Sequence, residues 1–243
     1  VAILFLFVKD YKTVDLSFVD SMNKKVKMTS ADIFREFITK PSLIYTYFGI
    51  ACVVFVTTSL ITWLSTYFQV ERGISQEKAG TLASAVMVLA LVGAPLGGYL
   101  TDRWRKTQSR ARLLFPTIST VMTAILLFAS LNFFKGTGQL ITMLIMGVFI
   151  MLFVSGAISV TQDVIHPGLR AMSYAVAVVI QNLLGSSMAP IVVGKIYDLT
   201  NIRTALEFLP LVLLVGALLF YLGSRKYDSD MAKVERVALE PAE

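Results

Sequence analysis

A compact group of charged residues follows an apolar, glycine-rich run in the stretch "GAPLGGYLTDRWRKTQSRAR", residues 93–112. Cations alone would be enough to anchor a helix end among lipid headgroups, whereas a carboxylate beside guanidinium groups can form a strong, charge-assisted ion pair. The pattern therefore predicts a polar contact between elements at this helix end. The single acid is Asp102, and the five basic residues are Arg103, Arg105, Lys106, Arg110 and Arg112.

The composition around this stretch is that of a membrane protein. Of 243 residues, 56% are hydrophobic and 16% are charged, and the mean hydropathy is +0.71, which argues against a soluble domain. Six continuously apolar runs, each long enough to cross a hydrocarbon core of roughly 30 Å, favour helices over the alternating strands of a barrel. The predicted fold class is an all-α membrane protein with a six-transmembrane-helix bundle. Its first to sixth spans are 42–68, 77–101, 112–134, 138–163, 171–196 and 206–224.

The remaining segments complete a four-part organisation. Residues 1–8 are apolar but rise only about 12 Å as a helix, so we expect them to be the end of a truncated transmembrane helix. Residues 9–41 are a polar, basic linker, in which "TSADIFREFITK" predicts a short amphipathic helix with Thr29 or Ser30 as N-cap, ended by Pro41. The bundle is expected over 42–224 and a C-terminal tail over 225–243.

The distribution of basic residues predicts the orientation. The linker, the 102–112 loop, Arg170 and the tail together hold 17 Lys and Arg, whereas the opposite side holds five. The positive-inside rule places the richer side in the cytoplasm. Because the cations lie in loops between apolar runs, the net charge of +6 indicates anionic lipid headgroups as partners and not nucleic acid.

The spacing Gly98-x-Leu100-x-Asp102-Arg103-x-x-Lys106 resembles the loop signature of the major facilitator superfamily, which follows the second helix of each half. Arg105 stands where that family usually has glycine. The resemblance implies one half of a major facilitator fold, helices seven to twelve, preceded by the cytoplasmic linker and completed by a missing N-terminal six-helix half. In a narrower resemblance, "DRWRKTQSRAR" and "RAMSYAVAVVIQNLLGSSMAPIVVGKIYD" are similar to spinster-type and organic-anion branches.

The resemblance implies a function and roles for the charged residues. It implies a secondary active transporter, a symporter or antiporter, which moves a small organic solute by alternating access in a multi-pass membrane setting, with the bacterial inner membrane as the expected location. An organic anion and a lipid-like molecule are both candidate substrates, and no cofactor is implied. Asp102 would face the other half, and Asp163, at the end of the fourth span, would either join its arginines or face headgroup water. The resulting conformational latch comprises Gly98, Asp102, Arg103, Lys106, Arg112 and Asp163.

Neutral polar residues supply the substrate-cavity candidates, because the spans carry no charge near their centres. One helical face of the first span carries a polar stripe, and amides and a tyrosine lie in the fifth span. The alternative is that these groups bond the carbonyls of their own helices. In the fifth span Pro190 and small neighbours predict a bend. The candidates are Thr58, Thr62, Ser65 and Gln69 in the first span, and Tyr174, Gln181 and Asn182 in the fifth.

Two other classes of function would require residues of a different kind. A membrane-embedded enzyme would need an intramembrane acid, histidine or nucleophile constellation, and ATP-driven transport would need a phosphate-cradling glycine loop; the spans show neither. The sole histidine, His166, precedes Pro167 and Gly168 and is expected to be a loop residue with no metal to bind. A six-span scaffold or sensor, or a homodimerising half-transporter, remains the alternative.

Overall fold

The computed structural model of the chain describes residues 30–234, and the side chains from residue 33 onward. The described part contains six helical segments long and apolar enough to cross a membrane, as the sequence predicted. A short helix, α1 (Ser30–Ile38), precedes them. The expectations for residues 1–8, for most of the linker including Thr29 as a cap, and for the tail beyond 234 lie outside the described residues.

Each span is built from one or more helices in chain order. The first three spans are the single helices α2 (Pro41–Arg72), α3 (Gln76–Arg105) and α4 (Ala111–Asn132). The fourth consists of α5 (Gly136–Ile150) and α6 (Val154–Asp163). The fifth consists of a 3-10 turn (Pro167–Leu169), α7 (Arg170–Ile180), a π-helical turn (Gln181–Ser186) and α8 (Met188–Leu199). The sixth consists of α9 (Ile202–Glu207) and α10 (Leu209–Ala232).

Local sequence explains where several of these helices begin and end. Pro41 starts the first span, where the missing N–H of proline costs no helical hydrogen bond. Gly73 ends the same helix in the left-handed conformation, φ 62°, and its N–H donates to the Gln69 carbonyl at 3.0 Å. The Asn201 side chain accepts from the Thr204 N–H at 2.8 Å and caps α9. The resulting connections are short, so that consecutive spans run in opposite directions.

Glycines bring the second and fourth spans into backbone contact. A Cβ at Gly93 would overlap the Val148 carbonyl, and one at Gly97 would overlap the Leu152 carbonyl. From the other side, Gly147 lies against the Val86 carbonyl. Lipid tails are as apolar as leucine, so membrane helices associate through this kind of close van der Waals packing. The small-residue spacing that precedes Asp102 therefore has a packing role of its own.

Two spans depart from a continuous α-helix. The fourth is interrupted between Ile150 and Val154, beside the close contact at Gly97. The fifth contains the π-helical turn, in which the Ser187 N–H donates to the Asn182 carbonyl five residues earlier at 2.9 Å. Sequence analysis predicted a bend near Pro190, but the irregular turn precedes the proline. A Pro at 190 has no N–H, so it leaves the Ser186 carbonyl without its usual helical partner, which permits a wider turn there.

Several helix ends extend beyond the predicted boundaries, among them that of the first span, which was expected to stop at 68 and reaches Arg72. The second span was expected to stop at 101, but its helix continues to Arg105; arginine at 105, in place of a helix-breaking glycine, allows the additional turn. The sixth was expected to stop at 224 and continues to Ala232, with no Gly or Pro to end it after Ser224. Asp102 and Arg105 after the second span, and Asp228 and Asp230 after the sixth, therefore lie on helices and not on loops.

Large apolar side chains cover much of the outer surface. Leu91 in the second span is 74% exposed and Leu218 in the sixth is 55% exposed. A water-soluble protein rarely presents contiguous apolar surface of this kind, whereas lipid tails or another helical bundle would cover it at no cost. The interior is apolar as well, with Leu64, Phe68 and Phe220 fully buried.

Candidate functional site

Asp102 and Arg103 lie on the last turn of the second span, and Lys106 directly follows its end. Asp102, Arg103 and Lys106 are all exposed, and Arg103 Nη1 donates to the Tyr99 hydroxyl at 3.3 Å. Gly98 lies one turn before Asp102 and faces the fourth span, where a Cβ would come 3.1 Å from Ser155 Oγ. Within residues 30–234, the Asp102 carboxylate makes no hydrogen bond or ion pair. It is therefore free to contact a partner outside the described residues.

A buried ion pair joins the other two predicted latch residues. Arg112, in the first turn of the third span, pairs through Nη1 with Asp163 Oδ2 at the end of the fourth span; their side chains are only 11% and 20% exposed. The Tyr227 hydroxyl of the sixth span donates to the same carboxylate oxygen at 2.9 Å. Asp163 therefore contacts Arg112, and neither Asp102 nor Arg103 joins this ion pair.

The last turns of the sixth span make two further contacts across helices. Asp228 accepts from Ser109 Oγ at 2.6 Å and pairs with Arg110 Nε at 2.5 Å, which ties the sixth span to the loop after the second. Asp230, only 1% exposed, accepts from both the backbone N–H and the hydroxyl of Ser42, at 2.9 and 2.7 Å. Its carboxylate therefore caps the first helix of the bundle from the last one.

These contacts define one end of the bundle, which we call the motif end: residues 102–112, 163, 227–230 and 42. Residues 227–230 belong to the segment predicted as the C-terminal tail, and no site role was predicted for Tyr227, Asp228 or Asp230. The signal that was available is the sequence "YDSD" directly after an apolar run with no intervening Gly or Pro. A continued helix directs Asp228 and Asp230, which are two residues apart, toward different neighbours, which is what the structure shows.

The polar stripe of the first span is largely bonded within its own helix. Thr62 is exposed and donates to the Thr58 carbonyl at 2.9 Å. The Gln69 side-chain amide donates to Ser65, to both the carbonyl and the hydroxyl, at 3.3 Å. Ser65 also lines a shallow, mainly apolar cavity of about 510 Å³ between the first and second spans. The observed hydrogen bonds of Thr62 and Gln69 therefore agree with the alternative prediction, in which these side chains bond within their own helix.

The candidates in the fifth span lie at the π-helical turn and one helix before it. Tyr174 and Asn182 are exposed, and the Asn182 amide donates to the Val178 carbonyl at 2.8 Å. Gln181 is half-buried and begins the π-helical turn. No hydrogen bond within the described residues connects these three side chains with the polar stripe of the first span.

A buried chain of hydroxyl groups, which sequence analysis missed, links three spans near the motif end. The Tyr47 hydroxyl of the first span lies 2.7 Å from Ser173 Oγ of the fifth, and Ser173 Oγ donates to the Thr161 carbonyl of the fourth.

His166 lies in the connection between the fourth and fifth spans, and its Nδ1 accepts from the Gly168 N–H at 3.1 Å. The histidine therefore stabilises a tight turn.

The opposite end of the bundle, which we call the Arg72 end (residues 67–78, 132–139 and 195–207), also has a polar network. Arg72 donates through Nε and Nη2 to Gln139 Oε1 at 3.1 and 2.7 Å, and through Nη2 to the Gly136 carbonyl at 2.7 Å. Gln139 is buried and donates in turn to the Tyr67 hydroxyl at 2.6 Å. Arg72 also stacks over the Phe68 ring, 5.0 Å from its centroid. None of these residues was predicted from the sequence as a latch or substrate-cavity residue.

The six apolar helices and their lipid-compatible surface define an integral, multi-pass membrane protein. Residues 1–190 match the sequence profile of the Major Facilitator Superfamily. The chain therefore belongs to the Major Facilitator Superfamily, as the signature around Asp102 indicated.

Similar proteins with curated names are transporters or a spinster homologue. The chain is 34% identical over 89 residues to a probable galactarate/D-glucarate transporter of Pseudomonas putida, which is 37% of this chain and 19% of that protein. It is 27% identical over 135 residues to a hexuronate transporter of Bacillus subtilis, 53% of this chain and 32% of that protein. It is 23% identical over 185 residues to Protein spinster homolog 1 of Xenopus laevis, 68% of this chain and 34% of that protein. The chain thus spans about a third of these relatives or less.

Solved structures show the same fold. A bacterial homologue of the human lysosomal transporter Spinster, in an inward-facing and unoccupied conformation, superposes with a TM-score of 0.71 at 18% identity, over 99% of this chain and 58% of that one. The Escherichia coli fucose:proton symporter superposes with a TM-score of 0.66 at 17% identity, over 91% of this chain and 51% of that one. The six-helix bundle therefore has the architecture of half a major facilitator transporter.

Proposed function

We propose that the chain supplies the C-terminal bundle of a secondary active transporter, which moves a small organic solute by alternating access between this bundle and a second six-helix bundle. The observation that carries the proposal is the motif end: the chain belongs to a transporter family, and its motif presents one exposed carboxylate, Asp102, near the Arg112–Asp163 ion pair, whose side chains are 11% and 20% exposed. The Arg112–Asp163 pair can hold this end of the bundle together, while Asp102 remains available for a contact that forms and breaks during transport.

The latch that we propose has two parts with different tasks. Arg112, Asp163 and Tyr227 hold the third, fourth and sixth spans together as one unit. Asp102 then contacts helix N-termini of the other bundle, whose partial positive charge attracts a carboxylate. An exposed ion contact of this kind contributes only about 1 kcal/mol, so it can bias the closed state without preventing the opening that alternating access requires.

We propose a sugar acid or similar organic anion as the solute. Two relatives are named as a probable galactarate/D-glucarate transporter and a hexuronate transporter. These names describe the solutes of those two proteins. For this chain, the exposed Tyr174 and Asn182 and the half-buried Gln181 and Thr58 supply neutral hydrogen-bonding groups at the face toward a second bundle. A lipid-like solute is the second candidate, because the surfaces around these residues are strongly apolar. We also propose that the motif end is cytoplasmic, on the positive-inside count, in a bacterial inner membrane.

The experiment is uptake into vesicles that contain the full-length protein carrying this chain. Radiolabelled D-glucarate, D-galacturonate, D-glucose and a lysophospholipid would be compared, with and without an imposed pH gradient. We expect accumulation of at least one sugar acid above the glucose background, and stimulation by the gradient if a proton is the coupling ion. Absence of transport for every solute under every gradient would contradict the proposal and favour a six-span scaffold or sensor.

The latch is tested by charge reversal in the same vesicles. Asp163→Arg places two cations together at the motif end, and Asp102→Asn removes the exposed carboxylate. Both changes are expected to shift the balance toward the state that is open at the motif end, measured by the accessibility of an engineered cysteine to a membrane-impermeant thiol reagent. Asp198→Asn, an exposed acid at the opposite end, is the matched control. Unchanged transport and accessibility in Asp163→Arg would refute the latch.

A further inference from the structure

A pocket at the Arg72 end combines a ligand-sized volume with several unused hydrogen-bond donors. Its volume is about 380 Å³, and its lining includes Tyr67, Glu71, Arg72, Lys135, Gln139 and Arg203. Small-molecule sites in proteins begin at roughly 300 Å³, so the pocket has room for one small solute. The pocket lies among the ends of the first, third, fourth and sixth spans, within this bundle.

The positive charge of Arg72 is held by neutral groups. Its three hydrogen bonds go to an amide oxygen and a backbone carbonyl, neither of which carries a formal charge. Among residues 30–234 it has no carboxylate partner. Since a guanidinium group has five N–H donors, the two on Nη1 are left over. The buried Gln139 fixes the orientation of the Arg72 side chain, so that these donors are preorganised.

Two further cations and a hydroxyl complete the donor set. Lys135 is exposed and makes no side-chain hydrogen bond or ion pair within the part of the chain that the structure describes. Arg203 pairs through Nε with Glu207 at 2.9 Å, which leaves its terminal nitrogens unused. The Tyr67 hydroxyl accepts from Gln139, so its own proton can still be donated. The one carboxylate in the lining, Glu71, opposes this positive charge only in part.

We propose that this pocket binds a small organic anion through a carboxylate group, held by Arg72, Lys135 and Arg203. Carboxylate oxygens accept charge-assisted hydrogen bonds from guanidinium and ammonium groups, and a hydroxylated anion would also accept from Tyr67. The site lies at the bundle end opposite Asp102, so it is distinct from the latch. Because the transported solute is proposed to be of the same chemical class, the contrast between Lys135→Gln and Lys195→Gln, and not glucuronate binding alone, assigns a binding event to this pocket.

The test is equilibrium binding of D-glucuronate to the full-length protein in phosphatidylcholine nanodiscs, measured by titration calorimetry with D-glucose as the neutral control. We expect binding of glucuronate and none of glucose. Lys135→Gln is the principal variant, because Lys135 makes no internal hydrogen bond whose loss would disturb the fold. The loss of one charge-assisted hydrogen bond should raise Kd about tenfold. Lys195→Gln, an exposed cation on the fifth span outside the pocket, should leave Kd unchanged.

The opposite charge change sharpens the test. Glu71→Gln removes the carboxylate that repels an anion, so it should lower the Kd for glucuronate by severalfold, an effect that a purely structural role of the pocket would not produce. Nanodiscs that contain phosphatidylglycerol distinguish a lipid headgroup as the source of the anion. Failure of glucuronate to bind, or equal Kd values in Lys135→Gln and Lys195→Gln, would overturn the proposal. It would also be overturned if only phosphatidylglycerol responded to Lys135→Gln.

Discussion

The two ends of the bundle treat their charges in opposite ways. At the motif end, carboxylates face cations or a helix N-terminus across helices: Asp163 with Arg112, Asp228 with Arg110, and Asp230 with Ser42. At the Arg72 end, the central cation is held by an amide and a carbonyl, and Lys135 has no partner among the described residues. A carboxylate that pairs with a cation on another helix joins the two helices. A cation without such a partner is available to bind a ligand. The paired carboxylates of the motif end therefore hold helices together, and we propose that the cations of the Arg72 end serve recognition.

The largest effect should come from breaking the buried pair at the motif end. Asp163→Ala leaves the Arg112 guanidinium buried without its partner and removes the acceptor for Tyr227. Such a loss typically destabilises a protein by about 3–5 kcal/mol, and it should appear as a large drop in the thermal unfolding temperature in detergent. The matched control is Asp198→Ala, which removes an exposed acid at the Arg72 end. Equal unfolding temperatures in the two variants would show that the pair does not hold the bundle together.

The next effect concerns the seam that positions the motif helix. Gly97→Ala would force the second span away from the Leu152 carbonyl, at a cost of about 1–3 kcal/mol, seen as a lower unfolding temperature. Gly80→Ala in the same helix is the control, because nothing lies within 4 Å of a Cβ there, and alanine should stabilise the helix by up to about 1 kcal/mol. The same sign of change in both variants would contradict close packing as the role of Gly97.

A smaller effect is expected from the cap between the last and first helices. Asp230→Ala removes two hydrogen bonds at the start of the first span, which should cost about 1 kcal/mol. Asp228→Ala, two residues earlier, removes a contact whose partners are exposed and should cost less, between 0 and about 1 kcal/mol. Chemical denaturation of both variants gives the order. If Asp228→Ala proved the more damaging of the two, burial would not be what makes the cap important.

The smallest effect should be at the Arg72 end. Arg203→Gln breaks an exposed pair with Glu207 four residues away on the same helix, which is expected to cost about 0.5 kcal/mol or less. Its unfolding temperature should match that of the unmodified protein, while its affinity for glucuronate falls. A loss of stability comparable to that of Asp163→Ala would mean that the two ends do not differ in the way described.

Sequence periodicity and composition were sufficient to predict the six spans. The hydrocarbon core imposes a length and an apolar composition that six runs satisfy, and backbone groups in lipid must be bonded within a helix. The motif around Asp102 also identified the family. The ends of the second and sixth helices were predicted less well, because the boundary of an apolar run marks where the membrane ends, and a helix can continue into water.

The contacts between distant residues could be predicted only in part. Asp163 was placed near Arg112 from the resemblance between halves of the family, and the structure brings these two together. Asp230 and Ser42 are 188 positions apart, and Arg72 and Gln139 are 67 apart. No local pattern encodes such pairs, since they depend on which helices become neighbours after folding. Gly185, within the π-helical turn of the fifth span, likewise packs closely beside Ala51 and Val54 of the first span.

The cap formed by Asp230 on Ser42 has a consequence for how the bundle communicates with its surroundings. It joins the first turn of the first span, at Ser42, to the last turns of the sixth span, at Asp230. We expect a displacement of Ser42 to act directly on the last turns of the sixth span through the Asp230 carboxylate. A reporter group attached after Ala232 should therefore respond to movement at Ser42.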